Sequence, residues 1–143
     1  VSHFAKLKPE NVKFKLNNGA DSFSILHLNV RSLNDKMGQL EVLLDEIDIQ
    51  FHCIVITETW FDNHTFIGKF SLSGYNVFHN SRSDKNGGGV AVYVCDRLDV
   101  RETAVRLEGC ESLLLQLGES GRELCSVLAV QPCAFGLPVG LLE

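Results

Sequence analysis

The stretch "CIVITETWF", Cys53 to Phe61, begins as apolar as a strand sealed inside a protein and then sets a glutamate between two threonines. An unbroken apolar run of this length, within "FHCIVITET", reads as a strand covered on both faces. Upstream, "FSILHLNV" (Phe23 to Val30) alternates bulky and small residues and ends at Asn29, which predicts an earlier strand. Between the two lies "RSLNDKMGQLEVLLDEID", in which Leu33, Met37, Leu40, Leu43, Leu44 and Ile47 recur at spacings of three and four. That is one face of a helix. Ser32, with Asp35 three places on, is the expected N-cap, a weaker form of the capping box. Strand, helix and strand together predict a βαβ unit with the two strands parallel.

Downstream of Gly74 the pattern changes. "YNVFHN", "SRSDKNGGG" and "VAVYVCD" read as two strands joined by a glycine-rich loop, the glycines being a flexible hairpin tip. "VRETAVRLE", "ESLLLQLG" and "RELCSVLAVQ" continue as strands, with "EGCE" and "GESG" as tight connections. The expected fold class is therefore α/β: one helical crossover, then a mostly antiparallel meander of about five strands. The strands through Val130 are expected to supply essentially one sheet. The last stretch, "QPCAFGLPVGLLE", shows neither period. Its two prolines and two glycines argue against a membrane helix.

A chain of 143 residues suits one domain. Hydrophobic residues at 45% and charged residues at 22% are ordinary for a globular protein. The net charge of −5 gives the chain as a whole no basic footprint for nucleic acid. Lys6, Lys8, Lys13 and Lys15 are the one local excess and read as a solvated tail. Five cysteines with no C-x-x-C spacing argue against a disulfide framework and against a zinc site. Cys53, Cys95 and Cys125 lie in apolar runs, where a thiol behaves as a small hydrophobe. A reducing, intracellular compartment follows as the expectation. Val1 to Asn18 holds no apolar signal-peptide core, and the lack of an initiator Met suggests part of a longer protein.

Glu58 is the first candidate for chemistry. As a strand-end carboxylate it could simply face solvent. In sheets with helical crossovers, however, sites form outside the carboxyl ends of strands, and a carboxylate held there suits Mg²⁺, which takes one or two carboxylates and keeps several waters. Asn29 holds the equivalent place on the preceding strand, where parallel neighbours would set the two side by side. His27 and His52 fall within strands and read as packed histidines, while His64 and His79 fall in loops without partners by spacing. "NGGGV" lacks the phosphate-loop pattern. Arg82 and Lys85, just before it, could touch a phosphate backbone or be merely solvated. No Ser-His-Asp or Cys-His set assembles from the spacing.

"LHLNVRSLNDKMGQLEVLL", "CIVITETWF" and "GYNVFHNSRSDKNGGGVAVYV", in this order, resemble the endonuclease/exonuclease/phosphatase superfamily. The closest likeness is to the apurinic-endonuclease-like domain of non-LTR (LINE-type) retrotransposons, over about Phe23 to Val130. The resemblance implies a two-sheet α/β sandwich, deoxyribonuclease-like, with outer helices. It also implies Mg²⁺-dependent cleavage of a DNA phosphodiester that primes reverse transcription at the target site. It maps metal ligands onto Asn29 and Glu58, with the flanking threonines packing the glutamate's stem and forming its second layer of contacts. It places Arg82 in a loop near DNA, although the usual Asp-Arg pair reads Ser81-Arg82 here. A parent polyprotein with a reverse-transcriptase domain and a nuclear location are implied as well.

The family's later motifs are missing. Gln131-Pro132 stands where a tyrosine and an arginine are expected, and the Gly-Asp-Phe-Asn and Ser-Asp-His stretches do not occur. The expected organisation is a tail over 1–21, a partial domain over 22–130 and an unrelated tail over 131–143, as a shifted reading frame would produce. The chain as it stands is then expected to be catalytically inactive. With one sheet's inner face bare it is also expected to be molten. A non-catalytic interaction fragment, or a fragment of another phosphodiesterase or phosphatase branch, are the competing readings.

Overall fold

The chain's computed structural model describes residues 23–82 and 87–132. The strand that frames Glu58 is β2, Cys53–Thr57, and all five of its residues are buried. β1, Ile25–Asn29, runs parallel to it, with Asn29 opposite Thr57. The crossover between them is α1, Met37–Ile47. A short 3₁₀ helix, Ile67–Phe70, precedes the hairpin of β3 (Tyr75–Asn80) and β4 (Val90–Cys95). β5 (Asp99–Glu102), β6 (Cys110–Glu119) and β7 (Arg122–Pro132) follow.

These strands form two sheets, a mixed one in the order β1-β2-β4-β3 and an antiparallel one in the order β5-β6-β7. Two sequence expectations are corrected here. The strands do not make one sheet, and the meander is confined to β5-β6-β7, because β4 inserts between β2 and β3. The physical reason lies in the side-chain alternation of β6 and β7. Leu113, Leu115, Leu117, Val127 and Ala129 share one face and pack on Cys53, Val55, Val90, Val92 and Val94. The inner face that would be bare in a single sheet is thus covered, which removes the basis for expecting a molten chain.

The opposite face of the first sheet carries α1. Leu33, Leu40 and Leu43 are buried against Leu26, Leu28, Ile54, Ile56 and Tyr93, and Met37, Leu44 and Ile47 pack around them. The predicted helical face is therefore the real one. The predicted start is not, since α1 begins at Met37 after Lys36, with no side-chain cap. Ser32 sits at φ 76° and donates its N–H to the Glu58 carbonyl at 2.8 Å, so residues 31–36 form a loop that follows β2 instead of a first helical turn.

"VRETAVRLE" is a strand only over Asp99–Glu102. Beyond it Arg106 donates to the Thr103 and Val105 carbonyls, and the Leu107 N–H goes to Ser112 Oγ. The β6–β7 turn at Ser120-Gly121 has positive φ at both residues, as a tight hairpin of primed type requires. The boundary expected after Val130 falls inside β7. The rest of that tail, the lysine-rich start and Lys85 lie outside the described residues. Among the described residues no helix is long and apolar enough to cross a membrane.

Candidate functional site

Five polar residues among those described are buried: Thr57, Thr59, Glu111, Ser112 and Gln131. All five lie at one corner, where the carboxyl end of β2 meets the start of β6 and the end of β7. Burying polar groups is unfavourable unless they are paired, so the corner is held by a dense set of hydrogen bonds.

Glu58 stands at its centre. Gln131 reaches across from the second sheet and binds it twice: its Oε1 accepts the Glu58 backbone N–H at 3.2 Å, and its Nε2 donates to Glu58 Oε1 at 2.9 Å. The other carboxylate oxygen, Oε2, accepts the Trp60 indole N–H at 2.8 Å and the Gly88 N–H at 3.4 Å. All of these donors are neutral. Among the described residues no Lys, Arg or His pairs with Glu58, so its charge is oriented but not neutralised.

Around it the backbone is strained. Of six non-glycine residues with positive φ among those described, Arg31, Ser32, Glu58 and Trp60 belong to the two loops that leave β1 and β2. The other two, Asp48 and Ser120, end a helix and make a turn, where such angles are ordinary. Each left-handed residue costs on the order of 1–3 kcal/mol, and clusters of them gather at functional sites. The loops hold one another, since Leu33 N–H donates to the Thr59 carbonyl at 3.0 Å and Trp60 N–H to the Gly88 carbonyl at 2.9 Å.

The glycines expected to be a flexible hairpin tip are part of this packing over Gly87–Gly89. A Cβ on Gly89 would lie 2.5 Å from Thr59 Oγ1, and Gly88 and Gly89 stand at φ 66° and 85°, so glycine is what lets the loop approach. Asn29 is exposed at the end of β1, on the same rim as Glu58. Lys36 Nζ donates to the carbonyls of Val30 and Arg31, next to the exposed Arg31. Burial, with Arg31 adding repulsion, lowers its pKa.

Arg82 is not a solvated cation. Its Nε and Nη2 donate to the two carboxylate oxygens of Glu111 at 2.6 and 3.2 Å, and its guanidinium lies over Gly88. The threonines expected around the Glu58 carboxylate turn elsewhere. Thr57 Oγ1 shares a hydrogen bond with His27 Nε2 at 3.2 Å, and Thr59 Oγ1 accepts the Phe61 N–H at 3.5 Å. Among the described residues neither hydroxyl bonds the carboxylate.

The described histidines other than His27 lie away from Glu58's hydrogen-bond partners. His52 lies between Ser24 Oγ at 2.9 Å and Arg97 Nη2 at 3.1 Å, stacked on Phe23. Burial lowers the pKa of both His27 and His52, with Arg97 adding to the effect at His52. His64 donates its backbone N–H to Asp62 Oδ1, and His79 meets Ser81 Oγ at 3.4 Å. Burial pushes the Cys53 thiol up to about 12 and raises Cys110 and Cys125, which disfavours their nucleophilic thiolates.

Sequence reading therefore placed Asn29 and Glu58 at one rim and missed Gln131, Glu111, Trp60 and Gly88. A signal for the first two was available. Glu111 and Gln131 occupy positions of β6 and β7 in the same alternation as the inward-facing Leu113, Leu115, Val127 and Ala129. A polar residue in an inward register is a flag. No family model matches this chain, and no match is found among curated proteins.

Proposed function

We propose that this corner is the metal-binding half of a Mg²⁺-dependent phosphodiesterase site. The reading is that of a LINE-type retrotransposon endonuclease acting on DNA, the chain being the N-terminal part of such a domain in a polyprotein with a reverse transcriptase. The observation that carries it is the state of Glu58: a carboxylate at the end of a fully buried strand, fixed by Gln131, Trp60 and Gly88, with no counter-charge among the described residues.

The donor set fits a divalent cation. Glu58 offers a carboxylate whose Oε1 keeps a free lone pair beside its one hydrogen bond, and Asn29 offers an exposed amide oxygen on the same rim. Among the described residues no cluster of three His, Cys, Asp or Glu forms a dedicated cage. One carboxylate with neutral oxygens is what Mg²⁺ takes when waters and substrate phosphate complete its shell. When bound, it supplies Lewis-acid polarisation of a phosphate oxygen and stabilisation of the leaving oxygen.

The chain's own residues supply orientation. Gln131 and Trp60 fix the carboxylate plane, and Asn29 ends β1 opposite Thr57 on the same rim. The sequence lacks the family's later tyrosine, aspartate–asparagine and histidine motifs, so this chain binds without turning over. General acid–base groups of the missing kind are worth roughly 10²–10⁴-fold.

Calorimetric titration with Mg²⁺ tests the reading. Binding on the order of millimolar, abolished in Glu58→Gln, is expected for so few protein ligands. Binding that Glu58→Gln leaves unchanged would move the site elsewhere, and Mg²⁺-dependent nicking of supercoiled DNA by the chain alone would refute the inactive half-site.

A second reading, a non-catalytic interaction module, is favoured by the outer face of β6 and β7. Leu114 pairs with Leu128 there beside Val130, half-exposed, while both described helices pack on the other sheet. Absence of any Glu58-dependent Mg²⁺ binding would favour it.

A further inference from the structure

Trp60 is held in place at some cost and yet left open. The residue is 41% exposed and its backbone lies at φ 58°, a conformation that disfavours a bulky side chain. Three contacts fix it: the indole N–H on Glu58 Oε2, the backbone N–H on the Gly88 carbonyl, and Gly87 against the ring edge, where a Cβ would stand 3.6 Å from Nε1. The indole N–H is satisfied by Glu58, so the part of the side chain that seeks a further partner is apolar. A tryptophan serving only stability would gain by burying that surface.

The neighbouring loop sets the company it keeps. Arg31 and Lys36 stand on the loop after β1, tied to the loop of Trp60 by Ser32 N–H on the Glu58 carbonyl and Leu33 N–H on the Thr59 carbonyl. The rim thus offers a flat aromatic surface, two cations and an oriented carboxylate. A simple anion has no use for the ring, and an apolar ligand has none for the charges. A nucleotide unit, with a flat base and a phosphodiester, uses both.

We propose that Trp60 is a stacking platform for one unpaired base of a nucleic acid whose backbone lies along this rim. Bases inside a duplex have both faces covered, so the ligand is a single strand, or a frayed or unpaired position. Base–aromatic stacking is sequence-tolerant, since every base has a π-face. The inference rests on the phosphodiesterase reading and deepens it, naming the form of nucleic acid the site takes.

Trp60 is the sole tryptophan of the chain, so its emission reports on this spot alone. The full chain in Mg²⁺ is titrated with a single-stranded DNA oligomer and with a blunt duplex of equal length. Anisotropy of the labelled DNA records binding independently of the tryptophan. The single strand is expected to quench the emission saturably and the duplex to bind more weakly. Trp60→Leu should weaken single-strand binding roughly 5- to 100-fold, and Trp60→Phe, which keeps a ring, should retain most of it. Binding by anisotropy without quenching, or equal binding by the folded Trp60→Leu variant, overturns the platform and leaves the phosphodiesterase reading standing. A chain that binds neither DNA, but whose emission responds to a protein partner, overturns both.

Discussion

On one face of the first sheet, Leu26, Leu28, Ile54, Ile56 and Tyr93 meet α1 and the rings of Phe51, Phe61 and Phe70 in an almost wholly apolar layer. The Tyr93 hydroxyl buried in it donates to the Phe70 carbonyl at 2.6 Å. On the other face, smaller valines and cysteines meet β6 and β7, and at one end of that layer come Thr57, His27, Glu111, Gln131 and the Arg82 ion pair. The same strands serve both layers, so the contrast does not come from local propensity. The helix layer holds the sheet together, and the inter-sheet layer gives up apolar packing at its rim to orient Glu58.

Substitutions can break that contrast in order of expected size. Ile56→Ala opens a cavity in the helix layer and should cost about 2–5 kcal/mol in chemical denaturation; a loss under about 1 kcal/mol would mean that α1 does not seal this face. Gly89→Ala comes next. It forces a Cβ into Thr59 Oγ1 at φ 85°, for about 1–3 kcal/mol of strain, and a neutral melt would restore the flexible tip. Gln131→Met keeps the volume but leaves the Glu58 N–H and Oε1 without this partner, for about 1–3 kcal/mol. It should also quicken hydrogen exchange of the Glu58 amide, and unchanged exchange would show that the second sheet does not hold the site.

The histidines should give the two layers a pH signature. His27 and His52 have folded pKa values below their ordinary 6.5, so the unfolded chain binds more protons in the window beneath 6.5. Their contribution is fully present above 6.5 and is lost as pH falls towards the folded values. The melting temperature should therefore drop between pH 7.5 and 5.5, and His27→Gln should flatten the slope; an identical slope in that variant would place the sensitivity elsewhere. Smallest of all, Leu128→Ala on the outer face of the second sheet should change stability by less than about 1 kcal/mol, because its side chain is already partly in water. A large loss there would mean that this face is as sealed as the helix layer.

The elements and one rim could be read from local patterns in the chain. The apolar run of β2, the helical spacing of α1 and the glycine-marked hairpin were legible because periodicity and turn chemistry are local properties of the chain. Asn29 and Glu58 were legible because parallel strands must end side by side. Tertiary structure alone decided that β4 inserts between β2 and β3, that β5 to β7 break away into a second sheet, and that Ser32 to Lys36 follow β2 instead of opening the helix. It also decided that Gln131, 73 residues beyond Glu58, completes the corner. Strand pairing and hydrogen bonds across such distances are chosen by which faces must be buried together; the inward register of Gln131 flags a buried polar residue but does not name its partner.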